Sequence, residues 1–339
     1  MMHAIMPAVA RFVIALLCLG ASAGIAEAVQ GFPGGDSAEQ IRAKINEQVK
    51  MQARLAGLSG KFIIDESLKR HELYPYVYEE QTLILMDERK QRDVRRIRRY
   101  SRMDPDHVLK TKLEFVYPET ISGTILLFVR PADGGGSSRI FLPALGGRMI
   151  NYVGAISGGQ LLGSEFSLQD LLPEDMRMFD YQRESDVVID EQTYFSVRAS
   201  VKHSDASVAS SQQSNIERLL LIRQDNFYVV RVDYFNNQGL LTKRQMRHDI
   251  HHVGGQMWRA DMISVVNFTN HHRSILKIDR RVFSRDYVPE AAFNENKLLL
   301  KAQQKAGAGS EARNKPQAEV HRSTPLPADA EITNREEKP

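Results

Sequence analysis

The spacing of apolar positions changes once along this chain. Between residues 36 and 57, Ile41, Ile45, Val49, Ala53 and Leu55-Ala56 recur every three or four residues, the period of one helix face. Asp36 or Ser37 can cap this segment, Glu39-Gln40 fill its first turn and Gly57 closes it. The pattern predicts one amphipathic helix with a stripe to lay against another layer. From Tyr76 onward the period becomes two. Residues 77–86, 95–101, 108–117, 124–130, 138–142 and 149–153 are rich in β-branched and aromatic side chains and are separated by Gly, Pro and Asp clusters, so they are predicted as strands. A second series follows at 187–201 (broken at Asp190-Glu191-Gln192), 219–222, 227–235, 240–248, 256–268 and 274–283.

Two of these segments say more. Thr124 to Val129 is apolar on both faces, as expected of a strand sandwiched between layers. In 227–235, strict alternation groups Tyr228, Val230, Val232 and Tyr234 on one face and Arg231 and Asp233 on the other. No crossover helices separate the strands, which argues against a parallel, doubly wound sheet. An antiparallel sheet of this many long strands curls and must hide its concave face. The predicted class is α+β: a strongly curved antiparallel half-barrel over residues 36–296, with helices covering the concave face. The 36–57 helix and the segment near Leu168 are the expected covers.

Composition adds a compartment. Arg11 precedes an apolar run from Phe12 to Leu19, and Ala26-Glu27-Ala28 supplies an A-x-A site. These are the parts of a cleaved secretory signal peptide over residues 1–28, and the expected location is the periplasm. Cys18 is the single cysteine, so a chain cut after Ala28 folds without disulfides. With 42% hydrophobic residues among 339 the chain can bury a sizeable core. A net charge of +3 gives no support for a nucleic-acid partner. Beyond Leu300 large apolar residues nearly vanish, and residues 301–339 are expected to be a disordered tail.

Candidate chemistry is sparse. The sequence holds no P-loop, C-x-x-C or H-E-x-x-H pattern, and its one G-x-S-x-G string, Gly20 to Gly24, falls within the expected signal peptide. His248, His251, His252, His271 and His272 fall in strand and turn patterns, where adjacent side chains point apart, so neither a metal nor a cofactor is expected. The basic run 89–100 reads as a strand with a solvated arginine face, or as a contact for anionic head groups.

The richest stretch is 139–172. There Phe141-Leu142-Pro143-Ala144 is followed by a glycine pair, a strand and Gly163-Ser164-Glu165-Phe166-Ser167-Leu168-Gln169-Asp170-Leu171. Upstream lies Pro118-Glu119-Thr120-Ile121-Ser122-Gly123-Thr124, and downstream Gly239-Leu240-Leu241-Thr242-Lys243. In this order the segments resemble the LolA-like family of periplasmic outer-membrane lipoprotein-sorting proteins, through its "P-x-x-I-x-G-T", "YLPA", "GSEFSxxDL" and "G-x-x-x-K" elements. The basic run that family often shows after LPA is reduced here to Gly146-Gly147-Arg148.

The resemblance implies a non-enzymatic carrier that shuttles a lipid or lipoprotein acyl chain between the inner and outer membranes. It also implies an inner-membrane transporter of the resistance-nodulation-division (RND) type as partner, and peripheral membrane contact. Candidate cavity residues are Leu126, Phe128, Phe166, Tyr228, Val230, Val232 and Tyr234. Gly163, Ser164 and Asp170 mark the motif and a candidate hinge. The alternatives are an envelope sensor or regulatory module on the same scaffold, and a structural protein whose interior is filled by its own side chains.

Overall fold

The computed structural model describes residues 38–72, 74–143, 148–151, 160–202, 217–298 and 300. The expected signal peptide, the capping residues Asp36 and Ser37, the serine-rich stretch 204–215 and the tail 301–339 lie outside the described residues.

Two helices, α1 (Ala38–Ala56) and α2 (Gly60–His71), precede the strands. The first series is β1 (Tyr76–Met86), β2 (Arg92–Met103), β3 (Leu109–Tyr117), β4 (Ile125–Arg130), β5 (Ser137–Leu142) and β6 (Arg148–Asn151). The second is β7 (Phe179–Arg183), β8 (Val187–Ile189), β9 (Gln192–Val201), β10 (Glu217–Arg223), β11 (Val229–Phe235), β12 (Leu241–Gly254), β13 (Met257–Asn267) and β14 (Arg273–Val282). All belong to one 14-stranded sheet with the order β6-β5-β4-β3-β2-β1-β14-β13-β12-β11-β10-β9-β7, and β8 pairs with β9. Every pairing is antiparallel. The sheet is curved and unclosed, and its middle is the seam where β1 meets β14.

Alternation sorts the side chains into layers. On β1 to β5, Leu83, Ile97, Leu113, Phe115, Leu126, Phe128 and Ile140 form one buried cluster with Phe166 and Leu168. On the other half, Phe195, Val197, Leu220, Ile222 and Val232 pack against Ile63 and Ile64 of α2. The doubly apolar β4 has a plain explanation: its other face, Ile125 and Leu127, is covered by Val288, Phe293 and Leu298, which follow β14.

One expectation is corrected here. The α1 stripe does not cover the sheet: Ile45 and Val49 are 38% and 53% exposed. Its place is taken by α2. Ser59 caps α2, accepting a hydrogen bond from Phe62 N at 3.2 Å, and Ile63, Ser67 and His71 form its buried face. α1 is held at its C-terminal end, where the Arg183 guanidinium donates to the carbonyls of Leu55, Ala56 and Leu58.

Gly60 sets how closely α2 approaches the sheet. A Cβ there would lie 2.8 Å from Arg183 N and 2.9 Å from Gln182 C, both backbone atoms of β7. Gly60→Ala should therefore push α2 away from β7 and cost about 1–3 kcal/mol of stability, the usual range for overpacking. Urea melts of the variant check this; an unchanged midpoint would mean that α2 is not seated against β7.

Candidate functional site

Between α2 and the concave face of the sheet lies a cavity of about 440 Å³, within the range of about 300–1,000 Å³ usual for small-molecule sites. Its floor runs from Leu109 of β3 across the seam to Leu220 of β10, and the segment 169–174 adds to its lining. Its apolar lining includes Met103, Leu109, Leu171, Leu172, Leu276 and Ile278. The rest is unusually polar for a sheet interior.

At the seam, Glu79 of β1 is buried between Arg99 of β2, at 3.0 Å, and Arg281 of β14, at 2.6 Å. Arg281 also reaches Asp261 of β13 at 3.0 Å, so one network crosses four neighbouring strands. Burial alone would raise the Glu79 carboxyl, but the two guanidiniums outweigh it and hold its pKa down to about 2. Nearby, Arg218 pairs with Glu174 at 2.5 Å and lies over the Phe179 ring at 3.8 Å.

His71 is fixed as the neutral tautomer. Its Nε2 donates to Asn226 O at 3.1 Å and its Nδ1 accepts from Trp258 N at 3.1 Å. Burial, with the positive charges of Arg259 and Arg247, lowers its pKa to about 4.

Two motif segments far apart in sequence meet beside the cavity. Asp170 accepts from Lys243 Nζ at 2.8 Å, from Ser167 N at 2.7 Å and from the Tyr234 hydroxyl. Lys243 also lies 4.1 Å from the Tyr234 ring centre. Both ionic partners are buried. Burial opposes ionisation of Asp170, but Lys243 prevails and keeps its pKa below the usual value. The preceding loop is bolted down as well. The Glu165 carboxylate accepts from Asn267 at 2.7 Å, Gln160 at 3.0 Å and Asn270 at 3.2 Å, and Glu165 N donates to Ser274 Oγ at 3.0 Å. Ser164 Oγ donates to Leu161 O at 2.8 Å, and Phe166 is fully buried. Gly163 supplies the positive φ, +80°, that the turn requires.

Of the candidate residues, Tyr228, Val232 and Tyr234 line the cavity. Val230 does not, because the β10–β11 register shifts so that Leu221 faces Arg231 and Ile222 faces Val229. The bulge brings Val229 to the lining instead. Leu126, Phe128 and Phe166 sit in the adjoining packed cluster. Sequence reasoning missed His71, Glu79, Arg99, Arg247, Arg259 and Arg281. Parity offered a signal for the strand residues: Glu79 and Arg99 share the parity of the buried Val77, Gln81, Ile97 and Ser101, so they point inward.

The fold has known relatives. A putative outer membrane lipoprotein-sorting protein domain from Vibrio parahaemolyticus superposes with a TM-score of 0.63 at 20% identity, covering 71% of this chain and 98% of that one. A DUF1329 family protein from Desulfovibrio piger gives 0.61 at 16% identity, over 70% and 98% of the two chains. A LolA superfamily protein from Nitrosomonas europaea gives 0.56 at 16%, over 71% and 99%. The fold is LolA-like. A family model described only as an uncharacterized protein matches residues 109–299; this span is more than half of the sequence, and the chain belongs to that family. No curated protein matches the sequence.

Two predictions follow from the buried charges. Lys243→Met strands the Asp170 carboxylate and should cost about 3–5 kcal/mol, whereas adding Asp170→Asn should recover much of the loss. Denaturant titration of the single and double variants measures the difference. For pH, His71 has a folded pKa of about 4 against an ordinary 6.5, so between these values the unfolded chain binds more protons. Stability present above pH 6.5 is therefore lost as the pH falls toward 4, and Glu79 adds a second loss from 4.5 toward about 2. His71→Gln should flatten the first window and spare the second, as read by thermal melts at stepped pH.

Proposed function

We propose that this protein is a periplasmic carrier that shelters the apolar chain of a lipid or acylated protein in the cavity beneath α2. The observation that carries this reading is the cavity itself. It lies between a helix and a curved sheet, and part of its lining is aliphatic. Each methylene taken from water into such a site is worth about 0.8 kcal/mol, so a chain of ordinary lipid length gains enough to leave a membrane. The Vibrio relative is described as a lipoprotein-sorting domain, which supports the same class of cargo.

The Arg11 to Ala28 pattern supports export to the periplasm. No described helix is long and apolar enough to cross a membrane. We take the donor of cargo to be an inner-membrane transporter of the RND type, as the family resemblance implies, with the outer membrane as destination. The extensive bonding of residues 163–170 makes that loop a fixed support, so we assign opening to α2 rather than to a hinge at Gly163. The exposed α1 stripe favours a second reading, a sensor module that presents α1 to a protein partner.

Native mass spectrometry of protein purified without detergent, followed by organic extraction, tests the carrier. A substoichiometric lipid-sized mass that exchanges with added lipid is expected. Filling the cavity with Ile278→Trp should weaken uptake of a fluorescent fatty acid by about tenfold or more, a loss of about 1.4 kcal/mol. A protein that is empty, and takes up no lipid, would turn the assignment toward the sensor.

A further inference from the structure

The positive charge of the cavity is unevenly answered. Glu79 is shared by Arg99 and Arg281, Glu174 serves Arg218, and Asp170 serves Lys243. Arg247 and Arg259 are left over. Arg247 donates to the Val229 carbonyl at 2.9 Å and leans over the Tyr228 ring at 5.5 Å. It has no carboxylate within ion-pair distance among the described residues. Arg259 comes no closer than 3.9 Å to a carboxylate, that of the exposed Glu72. Its side chain is nonetheless mostly buried. Holding a guanidinium in such a place costs free energy unless something answers its charge.

These two arginines surround a neutral, doubly bonded His71, which stacks edge-on against Tyr228 at 5.0 Å. The Tyr228 hydroxyl accepts from Ala260 N, one residue from Arg259, at 2.9 Å. Beside Arg247 on the same face of β12 lies Gln245, almost wholly buried and lining the cavity, whose Nε2 has no hydrogen-bond partner among the described residues. A buried amide donor without an acceptor is rare enough to need a cause. Arg247 and Arg259 otherwise donate only to the backbone carbonyls of Val229 and Trp258, so two weakly answered cations and one donor without an acceptor line the same space.

We propose that this end of the cavity, formed by Gln245, Arg247 and Arg259, seats the anionic head group of the cargo, so that the ligand is an acidic amphiphile. A carboxylate or phosphate fits the planar donor forks of arginine, which bind such groups in bidentate fashion. The acyl chain then runs along the floor toward Leu276, Ile278 and Leu109. This rests on the carrier reading above and adds the class of head group. It also gives the uncompensated cations a purpose, since a site built for ligand keeps charges that the empty protein would be more stable without.

The test compares a fluorescent long-chain fatty acid with its methyl ester, both titrated into the full-length protein. The acid should bind at least about tenfold more tightly, the scale of one charge-assisted hydrogen-bonded contact. In Arg247→Gln/Arg259→Gln the two should bind alike, while the melting temperature stays level or rises. Equal binding of acid and ester to the native protein would overturn the head-group seat and leave the carrier standing. Binding of neither would overturn both. Inorganic phosphate that raises the melting temperature as much as the acid does, and displaces it at similar concentration, would show a free-anion site and also overturn the amphiphile assignment.

Discussion

The architecture depends on burying one carboxylate at the middle of the sheet. Glu79 lies on the strand that joins the two halves of the molecule, and its two guanidinium partners come from the strands on either side. Such a group is tolerable only while both partners stay in place, because a lone buried charge costs several kcal/mol. The network therefore fixes the register of β2, β1 and β14 more firmly than aliphatic packing would, since a slip of one residue would turn Glu79 to the opposite face. It also keeps the cavity floor polar and leaves room where a wholly apolar sheet would collapse onto its helix.

The sheet was largely legible in the sequence because alternation survives in most strands. Where it failed, the causes are local. β7 is only five residues long and mixes charge with aromatic character. α2 opens on Gly57-Leu58-Ser59-Gly60 and puts Ser67 and His71 on its buried face, so its apolar period is interrupted just where it matters. α1 has the clearer stripe and is the less buried helix. A period shows that a face exists and not what meets it. The Val230 assignment failed for another reason: a bulge resets parity, and nothing in the 227–235 pattern marks its position.

The site was harder to read than the fold. Apolar residues were sought as cavity lining, and several of them turned out to be packed core, while the lining holds charged residues that look like surface in a linear reading. The basic run of β2 illustrates this: Arg99 serves Glu79 from the inner face, while Arg96 and Arg98 remain exposed. Asp170 and Lys243 stood in separate motifs, 73 positions apart, and only the fold reveals that the two motifs are halves of one contact. The resemblance carried the arrangement without explaining it.

The β1–β14 seam has a consequence for how the molecule comes into being. Ile84 pairs with Ile275 and Leu83 with Leu276, so the central pairing joins segments separated by most of the chain. Each half can form from hairpins between neighbours, but the halves cannot join until the last strand is available. Long-range pairing of this kind slows folding, because the loop-closure entropy is lost before the contacts form. A polypeptide that withholds its central pairing until the end cannot complete its sheet before its last strand has emerged.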